Sequence, residues 1–249
     1  MSTKPWDPGT GPSLLRGMLA RWQHRPASGP AALLWDMDGL LVNSEPVWTI
    51  AERELFAGWG VPFTPEMKAA MVGTRLDVSV PMMIRFGGAS AVAAQASVPQ
   101  VQAFLLGRMT QLLAVSVPVL PGARELLAEA AAAAIPQALI SSSYRVLVDA
   151  VLAGLPGHPF AVSVAGDEVA RGKPDPEPYE SAAQRLGVPI GGCVVLEDSP
   201  TGARSGAVAG ARVLYCPSVS GAGEPEPGWR PVASLTEVSL AGLRSWFRG

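Results

Sequence analysis

Ala31-Ala32-Leu33-Leu34-Trp35 runs without a break into Asp36-Met37-Asp38-Gly39, and the reading of this stretch decides the fold. A continuous apolar run of this length fits a strand buried on both faces, the kind found in parallel sheets. The signature repeats in the second half of the chain. Pro136–Ile140 runs into Ser141-Ser142-Ser143, Phe160–Val164 into Gly166-Asp167, Cys193–Leu196 into Glu197-Asp198, and Arg212–Tyr215 into Cys216-Pro217. Helical patterns separate these runs. Pro121–Ala134 is rich in Ala and Leu, and Tyr144–Leu152 is apolar at helical spacing. Asp175 can cap a helix that opens at Pro176 and stops at Gly187, and Ser199 can cap another, with Pro200 first and Gly210 beyond its end. Alternating strands and helices predict an α/β fold, a Rossmann-like doubly wound parallel sheet. Ligands bind such sheets at the carboxyl ends of the strands, where each apolar run meets its polar residues.

Between residues 47 and 115 the pattern changes. There is no strand signature, and the spacing predicts helices over Trp48–Trp59, Pro65–Val72 capped by Thr64, Leu76–Phe86 bent or broken at Pro81, and Pro99–Ala114. This predicts an all-helical domain over 47–115, inserted into an α/β core formed by 31–46 and 116–249, with its two ends close together. Residues 1–30, rich in Pro, Gly and Ser, read as a loosely held extension with one short helix near 13–23.

The composition excludes several classes. Of 249 residues 48% are hydrophobic and 16% charged, enough apolar material for a sizeable core. The net charge of −2 and the absence of a basic stripe argue against nucleic-acid binding. Glu129, Pro136 and Arg108 break the longest apolar stretches below the about 18–20 residues that span a bilayer. Leu14–Ala20 is short, contains Arg16, and does not make an export signal, so the cytoplasm is the expected compartment. Cys193 and Cys216 are too few for a zinc site and read as buried thiols. The two histidines, His24 and His158, lie near no Ser or Cys nucleophile signature. Gly166 to Gly172-Lys173 is a near miss to a nucleotide-binding loop: five residues intervene instead of four, and Pro174 replaces the required hydroxyl residue.

Four polar clusters remain, each at or after the end of a strand. Asp36 and Asp38 form a carboxylate pair over one crevice, able to divide attack from proton handling. Glu197-Asp198 adds a second acidic pair, and clustered oxygen ligands favour a hard cation such as Mg²⁺. Ser141–Ser143 bring hydroxyls and Lys173 an ammonium, a set suited to a phosphoryl group.

The chain resembles the haloacid dehalogenase superfamily, a group dominated by phosphatases. The matching residues are Asp36-Met37-Asp38-Gly39-Leu40-Leu41-Val42-Asn43-Ser44-Glu45, Ser141 after its strand, Gly172-Lys173-Pro174-Asp175-Pro176, and Leu196-Glu197-Asp198-Ser199-Pro200-Thr201-Gly202. The four motifs occur in order, and the likeness spans residues 31–216, with the helical insertion similar to the family's cap. The resemblance implies that Asp36 is the nucleophile that forms an aspartyl-phosphate, while Asp38 serves as acid and then base. It also implies that Ser141, Ser142 and Lys173 hold the phosphoryl group. Mg²⁺ would be bound by the Asp36 carboxylate, the Asp38 backbone carbonyl and Asp198, with Glu197 as a ligand or behind it. In the cap, Arg75 in Gly73-Thr74-Arg75-Leu76-Asp77 and Trp48 are the candidate specificity residues.

Asp36-x-Asp38-Gly39-Leu40-Leu41 followed by Ser44-Glu45-Pro46-Val47-Trp48 looks most like the hexose and hexitol phosphatases of that superfamily. The resemblance therefore implies hydrolysis of a small phosphorylated metabolite, a sugar or polyol phosphate. A monomer or weak dimer is the expected assembly. The alternative is a sugar-phosphate mutase of the β-phosphoglucomutase type. Mutases of that type carry a histidine where this chain has Trp48, and a cap lysine for which Val98–Ala114 offers none. A phosphonatase would need a cap lysine as Schiff base, and Lys68 is the one lysine of the insertion. A non-catalytic binding protein of this fold would be expected to lose Asp36 or a metal ligand, and this chain keeps them.

Overall fold

The computed structural model describes residues 29–71, 74–218 and 224–247. The extension, apart from residues 29 and 30, and the helix expected near 13–23 lie outside the described residues. Six strands form one parallel sheet: β1 (Ala32–Asp36), β2 (Gln137–Ile140), β3 (Val162–Val164), β4 (Cys193–Glu197), β5 (Arg212–Tyr215) and β6 (Arg230–Pro231), in the spatial order β3-β2-β1-β4-β5-β6. Successive side chains of a strand point to opposite faces. Leu33, Trp35, Leu139 and Leu196 accordingly enter one apolar cluster, and Leu34, Ala138, Ile140 and Val195 the other. Both faces are covered, which is why the strands read as unbroken apolar runs. One buried polar pair is satisfied within the sheet: Trp35 Nε1 donates to Gln137 Oε1 at 3.0 Å, and Gln137 Nε2 donates to the Leu127 carbonyl at 3.0 Å.

The register places the site. Asp36 pairs with Ile140, and Trp35 with Leu196, so Asp36, Ser141 and Glu197 leave the sheet at one level. The order reverses between β1 and β4, and the crevice opens where their connections diverge.

From β1 the chain enters four consecutive helices, α1 (Glu45–Gly58), α2 (Pro65–Met71), α3 (Leu76–Ala93) and α4 (Val98–Val115). Helix α1 starts earlier than the sequence pattern suggests, with a proline in its first turn. Thr64 Oγ1 accepts from Met67 N at the start of α2, as expected for a cap. Pro81 does not end α3. The break falls at Gly88, with φ 52° and ψ −133°, because a glycine reaches that conformation freely while Pro81 removes a single helical hydrogen bond. Ser97 and Gln100 form a capping box on α4. The ends of the helical insertion are tied together: Asn43 N donates to the Pro118 carbonyl at 2.9 Å, and Leu120 N to the Leu41 carbonyl at 2.9 Å. Phe56, Met83, Leu105 and Met109 continue the apolar cluster of one sheet face into the insertion.

The remaining helices are α5 (Ala123–Ala132), α6 (Arg145–Ala153), α7 (Glu177–Leu186), α8 (Pro200–Val208) and α9 (Leu240–Ser245). Ser199 Oγ accepts from Gly202 N and caps α8. Strand β6 had no signature in the sequence, since it is two residues long and carries a proline, which an edge position tolerates. No helix among the described residues is long and apolar enough to cross a membrane.

Candidate active site

Asp36 ends β1 and is 6% exposed. Lys173, from the loop before α7, donates from Nζ to Asp36 Oδ1 and to Glu197 Oε1, each at 2.5 Å. That loop is held by Glu177, whose carboxylate accepts from Ala170 N and Arg171 N, and by Asp175, which accepts from Glu177 N. Glu197 is fully buried and its oxygens are richly bonded. Oε1 also accepts from the Tyr179 hydroxyl at 2.7 Å, and Oε2 from Asp198 N, Ser199 N and Ser199 Oγ, all at 3.1 Å.

Asp38 stands two residues beyond Asp36 in a cradle of hydroxyls. Ser44 Oγ donates to its Oδ1 at 2.7 Å, and Ser141 Oγ and Ser143 Oγ donate to its Oδ2 at 2.8 and 3.0 Å. Ser143 N donates to Ser141 Oγ at 2.9 Å, which fixes the serine loop on itself. Gly39 turns the chain with φ 86°, and a side chain there would run into the Asp198 carboxylate. The glycine is required both by the left-handed backbone and by the approach of β1's loop to β4.

The site carries more negative charge than Lys173 balances. Ligand oxygens of Asp36, Glu197 and Asp198 lie within 4.8 Å of one another. Burial, reinforced by Glu197, pushes the Asp36 carboxyl well above the usual carboxylate range despite Lys173. Burial and Glu197 push Asp198 up to about 7. Burial alone would lower Lys173, but Asp36 and Glu197 outweigh it and the ammonium is held well above its ordinary value. Asp36 Oδ2 is buried and accepts no hydrogen bond from the described residues. An orphaned carboxylate oxygen inside a tight, oxygen-only acidic group fits a hard divalent cation.

A cavity of about 930 Å³ lies between this cluster and the helical insertion. Asp36, Asp38, Ser142, Lys173 and Asp198 reach it from the sheet, and Trp48, Lys68 and Arg75 from the insertion. Ser142 is exposed, while its neighbours Ser141 and Ser143 serve Asp38. Trp48 both lines the cavity and packs against the apolar cluster. Arg75 pairs with Asp77, Nε to Oδ1 at 3.3 Å, and its guanidinium lies close to Gly172, the residue before Lys173. Lys68 is engaged by the carboxylates of Glu45 and Glu52.

All the sequence-predicted site residues therefore line this cavity or, as Ser141 and Glu197 do, bond directly to residues that line it. Ser44 and Tyr179, which the sequence reading left without roles, also belong to the site, and Ser143, expected there among the phosphoryl-binding hydroxyls, bonds Asp38 instead. Ser44 and Ser143 complete the Asp38 cradle, and Tyr179 braces Glu197. Ser143 follows Ser141 at the two-residue spacing that shares a side, a usable signal. Nothing local marks Tyr179, which meets Glu197 only through the packing of α7 on the sheet.

The chain matches the haloacid dehalogenase-like hydrolase family over residues 30–210 and belongs to that family. It is 32% identical over 193 residues to Protein CbbY of Rhodobacter capsulatus, covering 75% of this chain and 85% of that protein. It is 29% identical over 214 residues to hexitol phosphatase B of Escherichia coli K12, covering 85% and 92%. Among solved structures, CbbY of Rhodobacter sphaeroides in complex with xylulose-1,5-bisphosphate superposes with a TM-score of 0.71 at 30% identity, over 86% of this chain and 99% of that one. The enzyme class that the family and these relatives define is a phosphoric monoester hydrolase.

Proposed function

We propose that the protein is a Mg²⁺-dependent phosphatase that hydrolyses a small sugar or polyol phosphate through an aspartyl-phosphate on Asp36. One observation carries the reading: a buried nucleophilic carboxylate, an ammonium group and a second carboxylate cradled by hydroxyls meet at the floor of one cavity. A phosphate dianion repels an attacking carboxylate, so positive charge must be fixed at the site before attack. Mg²⁺, held by the carboxylates of Asp36 and Asp198 and the backbone carbonyl of Asp38, with Glu197 in the same acidic group, would supply part of that charge. Lys173 supplies the rest, and together with Ser141 and Ser142 it holds the phosphoryl oxygens.

The Asp36 carboxylate attacks phosphorus, and the phosphorus–oxygen bond to the alcohol breaks. Asp38 gives its proton to the departing oxygen. It then takes a proton from the water that attacks the aspartyl-phosphate, which returns Asp36 as a carboxylate and releases inorganic phosphate. Hydroxyls can donate to a carboxylate and accept from an acid, so Ser44, Ser141 and Ser143 can hold Asp38 in both protonation states.

In this reading the helices over 47–115 are a cap on a core of 31–46 and 116–249, and cap movement about the linkers near 44–47 and 116–118 admits substrate and then excludes bulk water. The paired linkers and the cavity between the two parts support this. We assign the enzyme to the cytoplasm, acting as a monomer or weak dimer. The test is Mg²⁺-dependent release of phosphate from sugar, polyol, glycolate and nucleotide phosphates, compared with Asp36→Asn. Release that persists in Asp36→Asn refutes the mechanism, and interconversion of glucose 1- and 6-phosphates without release points to the mutase.

A further inference from the structure

The insertion's wall of the cavity carries a charged group that the phosphatase mechanism does not use. Lys68 Nζ, from α2, lies 2.7 Å from Glu52 Oε2 and 2.5 Å from Glu45 Oε1, both on α1. Glu45 and Glu52 are two helical turns apart on one face of α1, with Trp48 and Thr49 between them, and the five residues all line the cavity. Glu52 is 4% exposed. Two carboxylates share one ammonium, so this wall has an excess of acidic groups; burial raises the Glu52 carboxyl while Lys68 pulls it back down. Among the described residues the other cations that line the cavity are engaged away from this wall: Lys173 serves Asp36 and Glu197, and Arg75 pairs with Asp77 through Nε and lies with its guanidinium beside Gly172.

Such a wall does two things to a phosphate ester seated on Asp36. Carboxylate oxygens accept from hydroxyl groups, and they lose little when those groups replace water. The same oxygens repel a second anion, and a partly buried cavity screens that repulsion poorly. From this we infer that the Lys68–Glu45–Glu52 group selects the substrate: it receives the hydroxyls of an otherwise uncharged polyol or sugar monophosphate and rejects a bisphosphate. The inference rests on the phosphatase reading and narrows it. Both ligand types occur among the relatives, a hexitol phosphatase and a CbbY that binds xylulose-1,5-bisphosphate, and this wall fits the first.

The test uses the whole chain with Mg²⁺. Phosphate release is measured from a hexitol 6-phosphate, from xylulose-1,5-bisphosphate and from p-nitrophenyl phosphate, which has neither hydroxyls nor a second phosphate. The wild-type protein prefers the monophosphate over the bisphosphate in kcat/KM by about 100-fold, a discrimination built from attraction to one ligand and repulsion of the other. Glu45→Gln and Glu52→Gln each lower that ratio by about tenfold, mainly through KM, since each replaces a charge with a neutral group of the same shape. Lys68→Met moves the ratio the opposite way, because it uncovers both carboxylates. A role in cap stability alone would move all three variants in one direction. Circular dichroism checks folding, and if Glu52→Gln does not fold, Glu45→Gln and Lys68→Met decide. Equal ratios in wild type and variants, or a wild-type preference for the bisphosphate, overturn the inference while leaving the phosphatase reading intact. Absence of Mg²⁺-dependent release from any of the three esters refutes the phosphatase reading, and the inference with it.

Discussion

Replacing Lys173 with methionine removes an ammonium that stands 2.5 Å from both Asp36 Oδ1 and Glu197 Oε1 while keeping most of the apolar stem. The Lys173 side chain is 5% exposed and that of Glu197 is fully buried, so water cannot replace the lost partner. Taking one member out of a buried ion group costs about 3–5 kcal/mol, because the remaining charges keep their desolvation cost and lose their compensation. The pH dependence identifies the cause. Burial and Glu197 already hold Asp36 above its ordinary value, and Asp198 at about 7. A carboxylate whose folded pKa exceeds its unfolded value takes up a proton on folding. It opposes folding above the folded pKa and stops doing so as pH falls through it. Without Lys173 the carboxylates are pushed higher still, so the stability deficit is greatest near about pH 8 and shrinks toward about pH 5.5. Urea unfolding of both proteins at the two pH values reads this directly. Millimolar Mg²⁺ raises the unfolding midpoint of the variant more than that of the wild type, since a cation that binds only the folded state adds stability by mass action. A loss below about 1 kcal/mol at pH 8, the range of an exposed pair, or a deficit that does not shrink on acidification, would refute the reasoning.

Other outcomes follow from the same geometry. Ser44→Ala combined with Ser143→Ala strips two of the three hydroxyls from Asp38, and steady-state kinetics on p-nitrophenyl phosphate shows kcat reduced by about 10–100-fold, up to the lower end of the about 100–10,000-fold that acid–base catalysis supplies, since Asp38 itself remains. Gly202→Ala drives a methyl group into the Glu197 carboxylate, which five donors hold in place, and chemical denaturation shows a loss of about 1–3 kcal/mol, the range for overpacking. Cys216 is only partly buried, unlike the buried thiol expected from the sequence, and burial raises it less than Cys193, which is pushed up to about 12, so at neutral pH a thiol reagent labels Cys216 first and Cys193 only on unfolding. Burial lowers the His158 pKa, so the folded state resists protonation there. Stability is therefore lost as pH falls through the unfolded histidine range near about 6.5, and thermal melts show a smaller acid-induced drop in His158→Gln.

Much of this protein is written locally. Strands buried on both faces have to be apolar throughout, so β1, β2, β4 and β5 announced themselves, and the caps at Thr64 and Ser199 follow from short-range hydrogen bonding. The order of the polar clusters after those strands was enough to expect Asp36, Asp38, Lys173 and Asp198 around one crevice, because a parallel sheet delivers all its carboxyl ends to one edge. The sequence could not say where α3 breaks, since Pro81 and Gly88 both offer a break and the surrounding packing selects between them. It could not assign a partner to each charge. Tyr179 on Glu197, Ser44 on Asp38, and Lys68 between Glu45 and Glu52 are contacts across 18, 6 and 16 or more residues of chain. Such pairings depend on how helices seat on the sheet and on each other, and the chain's local preferences carry no record of them.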